Sequence, residues 1–190
     1  MSASGSWASA CKRILSASKL LLEGRPGAGK STVARRLVGR LQDRNLHVAG
    51  FVTDELRERG RRVGFAVESF DGETAILAHT ALPGPPRVGR YGVDLEAFEQ
   101  VALPALQAAR HADVVVLDEL GKMELASERF CDAVSALFDS PSPVVATIHV
   151  FHHPFTDALK GREDVERFRV TKKTRDGVPG ELAARLSAAP

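Results

Sequence analysis

Residues 20–32 read Leu-Leu-Leu-Glu-Gly-Arg-Pro-Gly-Ala-Gly-Lys-Ser-Thr, an apolar run that meets a glycine-rich turn and then a polar stretch fit to open a helix. Few backbone paths accommodate that order. Glycines let the chain curl until successive N–H groups converge on one anion, and a helix starting there turns its positive end toward the same point. Val33, Leu37, Val38 and Leu41 follow at helical spacing, so the turn joins a strand to an amphipathic helix. Gly24-x-x-x-x-Gly29-Lys30-Ser31 is thus the spacing of a phosphate-cradling loop. Its expected nucleotide-binding set is Gly24, Arg25, Pro26, Gly27, Ala28, Gly29, Lys30, Ser31 and Thr32. Lys30 supplies a point charge between the outer phosphates, and the Ser31 hydroxyl a ligand for a bridging magnesium ion.

The chain has 190 residues, enough for a single domain with its own core, expected over 19–190 behind a flexible Ser- and Ala-rich extension at 1–18. A net charge of +2, from 26 basic and 24 acidic residues, gives no electrostatic case for nucleic acid or membrane as partner. No apolar run approaches the roughly 18 residues that span a bilayer. Cys11 and Cys131 stand far apart without metal-binding spacing, which suits a reducing, cytoplasmic setting and makes Cys131 an expected core thiol. A monomer is expected, with no protein partner indicated.

After the loop, the pattern predicts a helix over 31–44 and a strand over 46–52, completing a strand-helix-strand unit. Residues 53–62 are heavily charged and turn at Gly60, leading into an alternating segment over 63–70, a turn at Asp71-Gly72 and a strand over 74–79. An antiparallel hairpin excursion from an otherwise parallel sheet follows. Arg57 and Arg62 there read either as a solvated arm or as groups reaching the nucleotide. Pro83, Pro85 and Pro86 mark a loop over 81–90. Asp94 caps a helix that carries Leu95, Phe98, Leu103 and Leu106, with Pro104 expected to kink it before it ends near His111. Ser127 caps another with Phe130, Val134 and Leu137 inward; strands over 144–148 and 165–170, a lid or connecting helix from Pro154, and a last helix over 180–188 complete the chain.

Val114 to Leu117 is uninterruptedly apolar, as a strand buried on both faces is, and Asp118-Glu119 is expected to end it. A carboxylate at that strand end approaches the magnesium held by Ser31, which is the role of Asp118. Glu119, expected on the other side of the strand, has the chemistry to orient or deprotonate a water attacking the terminal phosphorus. Thr147, at another strand end, either bonds that water or simply finishes its strand. Lys122 and Glu124 read as a surface turn or as groups beside the triphosphate. His152-His153 lacks a third metal ligand at fitting spacing and reads as a surface pair.

Gly24 to Thr32, Gly50-Phe51-x-Thr53-x-Glu55-x-Arg57, Gly64-Phe65, Tyr91-x-Val93 and above all Leu117-Asp118-Glu119-Leu120-Gly121-Lys122-Met123-Glu124-Leu125 resemble the cancer-related nucleoside-triphosphatase family, from about Lys19 to Pro179. The resemblance implies an α/β P-loop domain, a mostly parallel sheet flanked by helices, that hydrolyses nucleoside triphosphates to the diphosphate and phosphate with magnesium. Position by position it implies phosphate and metal binding at Lys30 and Ser31, a metal-side carboxylate at Asp118 and a catalytic base at Glu119. Arg162 resembles the family's late basic position, implying a lid arginine. The chain departs from the family at Thr174-Arg175-Asp176, where Asn-Arg-Asp is usual, and at Glu23, where a small hydroxyl residue is. A small-molecule kinase using the same loop, and a nucleotide-dependent binding module, are the alternative readings.

Overall fold

The computed structural model describes residues 19–187; the expected flexible extension 1–18, Cys11 within it, lies outside the described residues. The strands are β1 (Lys19–Gly24), β2 (Val48–Glu58), β3 (Arg61–Ser69), β4 (Thr74–His79), β5 (Arg87–Val88), β6 (Tyr91–Val93), β7 (Val114–Leu120), β8 (Val144–His149) and β9 (Val165–Arg169). They form one sheet in the order β5-β6-β4-β3-β2-β7-β8-β1-β9. From β2 to β9 all neighbours are parallel, whereas β3, β4, β6 and β5 continue the sheet antiparallel from the other side of β2. The expected excursion is therefore a four-stranded extension.

The helices are α1 (Lys30–Gln42), α2 (Leu95–Gln107), α3 (Glu128–Asp139), α4 (Pro154–Lys160) and α5 (Val178–Ser187). They cover both faces because the parallel strands are apolar on both. Leu20, Leu22, Val116 and Val145 pack with Val33, Leu37 and Leu182 of α1 and α5. Leu21, Val115, Leu117 and Ala146 turn the other way, toward α2 and α3. There Phe51, Phe98 and Phe130 meet with ring centroids 4.9–5.8 Å apart. The two caps form as expected: Asp94 Oδ1 accepts from Ala97 N at 2.9 Å, and Ser127 Oγ from Phe130 N at 3.0 Å. Pro104 sits inside α2, which gives way to a 3₁₀ turn over Ala108–His111.

Three local expectations change. β2 does not stop at Val52 but runs to Glu58. Beyond its last pairing with β7, at Val52 and Asp118, it continues on β3 alone, and Glu55 takes Arg57 at 2.5 Å and Arg62 at 2.7 Å. One ion pair along β2 and one across to β3 thus let a charged segment lie in a solvent-facing ribbon. β7 likewise continues through Asp118 and Glu119 to Leu120, with its register on β8 shifted between Leu117 and Leu120. Cys131 is half-buried rather than core, its thiol directed at Leu125 O at 3.7 Å from the flank of α3.

Candidate functional site

The parallel strands end at one edge of the sheet, where β1, β7 and β8 bring the chemistry together. Register pairs Leu22 with Thr147 and Gly24 with His149, so the start of the glycine-rich loop stands beside the end of β8. Within the loop Gly27 and Gly29 hold φ of +74° and +99°, the left-handed region open to glycine. Val33 N donates to Gly29 O at 2.9 Å and starts α1. Gly29 caps that helix without a side chain, so the first N–H groups of α1 remain free for an anion. The buried Lys30 lies beneath the loop, its Nζ 3.2 Å from Gly24 O and 3.3 Å from Glu119 Oε2.

Asp118 is fully buried. Its Oδ1 accepts from Thr147 Oγ1 at 2.6 Å, which settles Thr147 as a holder of the carboxylate. Oδ2 is buried without a hydrogen-bond partner, and the Ser31 hydroxyl lies beside the same carboxylate. Burial pushes the Asp118 carboxyl above the usual aspartate range, against the two hydroxyls. An orphaned carboxylate oxygen next to a hydroxyl is a hard-oxygen pair, and it fits a magnesium ion.

Glu119 comes toward the same loop. Lys30 approaches Oε2, and His149 Nε2 lies directly against Oε1. Burial raises the Glu119 carboxyl, but His149 and Lys30 outweigh it and hold the group below the usual glutamate range. His149 is the residue that motif reasoning misses. Its signal is the period of a strand: two positions past Thr147 is the same face of β8.

Glu124 is buried, not part of a surface turn, and Gly121 N donates to its Oε2 at 3.2 Å. Lys122 is exposed. The Arg57 and Arg62 guanidinium groups are engaged by Glu55, with Tyr91 also bonding Arg62, which matches the solvated-arm reading. His152 is exposed beside Asp157, and among the described residues no group of three potential ligands could hold a metal ion. Arg162, the expected lid arginine, is not brought to the loop. It binds Asp139 at 2.5 Å, Asp164 at 2.8 Å and Phe138 O at 3.1 Å, near the start of β9, whose Val165 pairs with Lys19 at the opposite end of β1. A cleft of about 230 Å³ opens beside the loop, with Gly24 and Ala28 on one wall and Val150, Arg169, Thr171 and Lys172 on the other.

A sheet whose β2, β7, β8, β1 and β9 run parallel, with a glycine-rich loop leading from β1 into α1, a buried lysine beneath it and a carboxylate pair at the end of β7, two strands from β1, defines a P-loop nucleotide-binding domain. A family model described as NTPase matches residues 19–183. The nucleoside-triphosphatase THEP1 of Thermotoga sp. (strain RQ2) is 42% identical over 169 residues, covering 88% of this chain and 95% of its own. The cancer-related nucleoside-triphosphatase homolog of Mus musculus is 38% identical over 180 residues, covering 87% and 94%. Among solved structures, THEP1 from Aquifex aeolicus superposes with a TM-score of 0.80 at 32% identity, covering 88% of this chain and 98% of that one. A human cancer-related nucleoside triphosphatase superposes with a TM-score of 0.78 at 36% identity, covering 90% and 98%. The chain belongs to this NTPase family.

Proposed function

We propose that the chain hydrolyses nucleoside triphosphates to the diphosphate and phosphate. The observation that carries the reading is Glu119, half-buried at the mouth of the phosphate loop between Lys30 and His149. In this reading the loop N–H groups and Lys30 hold the phosphate chain, drawing Lys30 away from Oε2 and freeing that oxygen. Glu119 then takes a proton from a water as its oxygen bonds the terminal phosphorus and the bridging oxygen leaves with the diphosphate. His149 keeps the carboxylate turned toward the phosphates. Ser31 and Asp118 would hold magnesium, which when bound neutralises charge on the outer phosphates. Within this reading the protein works in the cytoplasm, where such nucleotides are plentiful; among the described residues no helix is long and apolar enough to cross a membrane. The kinase alternative requires an acceptor, and the matched relatives carry the name nucleoside-triphosphatase instead.

Phosphate release from ATP, GTP, CTP and UTP, with and without magnesium, tests the reading. Release without any acceptor, dependent on magnesium, is the expected result. Glu119→Gln should lose on the order of a hundredfold or more in rate while still binding nucleotide. Undiminished hydrolysis by that variant would overturn the assignment of the base. His149→Ala should lower kcat with little effect on KM, since His149 acts through Glu119 rather than on the substrate.

A further inference from the structure

The phosphate loop has a neighbour outside its own motif. After β9 the chain turns back across the start of α1 before entering α5. This turn is fastened at several points. Val170 N donates to Glu23 O at 2.7 Å beside β1. Thr171 and Thr174 bond each other's backbone N–H groups reciprocally, at 3.0 and 3.2 Å, and Thr174 Oγ1 donates to Arg169 O at 3.0 Å. Arg175 N donates to Thr171 O at 3.0 Å, and Asp176 is tied to α1 by Arg36 at 2.7 Å.

Held from both sides, the Arg175 side chain lies against Gly29. A β-carbon built on Gly29 would stand 3.0 Å from Arg175 Cδ and 3.6 Å from Nη1. The guanidinium is thus beside the free N–H groups that open α1, two residues from Ser31. Its charge is not spoken for. Arg35, Arg36, Arg162 and Arg185 each face a carboxylate, whereas Arg175 has none among the described residues. An unpaired, half-buried guanidinium presents a planar fork suited to phosphate oxygens. Magnesium and Lys30 leave part of a triphosphate's negative charge unmatched, and an arginine already fixed at the loop meets it without a conformational rearrangement.

We propose that Arg175 is a phosphate-contacting arginine, supplied to the polyphosphate by the chain's own β9–α5 turn. It occupies the part that Arg162 was expected to play. The inference rests on the nucleotide-binding reading above, and the experiment separates the two. Binding of ATP and of inorganic tripolyphosphate, each with magnesium, is measured by calorimetry on the Glu119→Gln protein, so that neither probe is consumed. Adding Arg175→Ala should weaken both by on the order of tenfold to a hundredfold, as loss of a charge-assisted phosphate contact does. Arg175→Met, which keeps the aliphatic stem against Gly29, should lose as much; Arg175→Lys should lose less. Unliganded thermal unfolding should be unmoved in Arg175→Met, separating lost charge from lost packing. Unchanged binding of both probes overturns the proposal. So does weakened ATP with unchanged tripolyphosphate, which would assign the guanidinium to the base or ribose. Failure of the Glu119→Gln protein to bind either probe, with Arg175 intact, overturns the nucleotide reading itself and this inference with it.

Discussion

Glu124 is a carboxyl without a counter-ion among the described residues, enclosed in the core a few residues beyond Asp118 and Glu119. Burial pushes it up to about 8, and Glu119 and Asp118 add to the rise. Between 4.5, the unperturbed value, and about 8, the folded chain keeps a proton that the unfolded chain has released. Stability therefore falls as pH rises through that window, and the contribution present in acid is gone above it. Glu124→Gln should remove this slope, so that denaturant unfolding at pH 5 and at pH 8.5 shows the variant gaining on the parent by on the order of 3 kcal/mol. Thr147→Val should leave the protein folded but take away the donor that holds Asp118 Oδ1, lowering kcat on the order of tenfold in a phosphate-release assay. Lys30, Ser31, Asp118 and Glu119 are legible in the sequence because each sits in a contiguous pattern whose spacing states its chemistry. His149 and Arg175 are not, since one reaches the site through β1–β8 register and the other through a turn folded over a glycine distant in sequence. Glu124 belongs to a legible motif, yet its burial depends on how the chain after β7 folds under α2 and α3.

At the scale of elements, apolar periodicity reads well where an element is buried and poorly where it is not. The core strands β1, β7 and β8 and the caps at Asp94 and Ser127 follow from pattern alone. The outer half of β2 does not, because its pairing with β3 is held by Glu55 and two arginines rather than by hydrophobic alternation. The close approach of β2 to β7 is equally invisible in the pattern. Gly50, at φ +115°, would place a β-carbon 2.0 Å from Val116 O, so Gly50→Ala must push apart two central parallel strands. A loss of about 3 kcal/mol or more, or failure to accumulate folded protein, is the expected outcome by chemical denaturation. Ser127→Ala is milder. It removes the α3 cap and a 2.7 Å bond to Glu99, and should cost about 1–2 kcal/mol in the same measurement.

For the whole molecule, the two ends of the parallel strands divide the labour. The loop end carries Lys30, Asp118 and Glu119, and the other end holds Arg162 between Asp139 and Asp164, clamping α3 to the approach to β9. β1 spans about 17 Å between them, too far for that guanidinium to touch a nucleotide. Arg162→Met should lower the melting temperature by a few degrees while leaving kcat per folded molecule unchanged, whereas a lid arginine would show the reverse. The fold class is legible from the alternation of elements, but the breadth of the antiparallel extension is not, because β5 and β6 together pair only two and three residues.

Those short strands also govern how the molecule behaves in company. A nine-stranded sheet has two borders, and an open border invites a stranger's strand to extend it. Here one border is β5, two residues long and preceded by Pro83, Pro85 and Pro86; the other is β9, where Glu166, Arg167 and Arg169 stand exposed. The first is too brief to template pairing and the second too charged to welcome it. A broad sheet, of the kind that otherwise invites fibrillar stacking, is thereby left with margins poorly suited to templating a further strand.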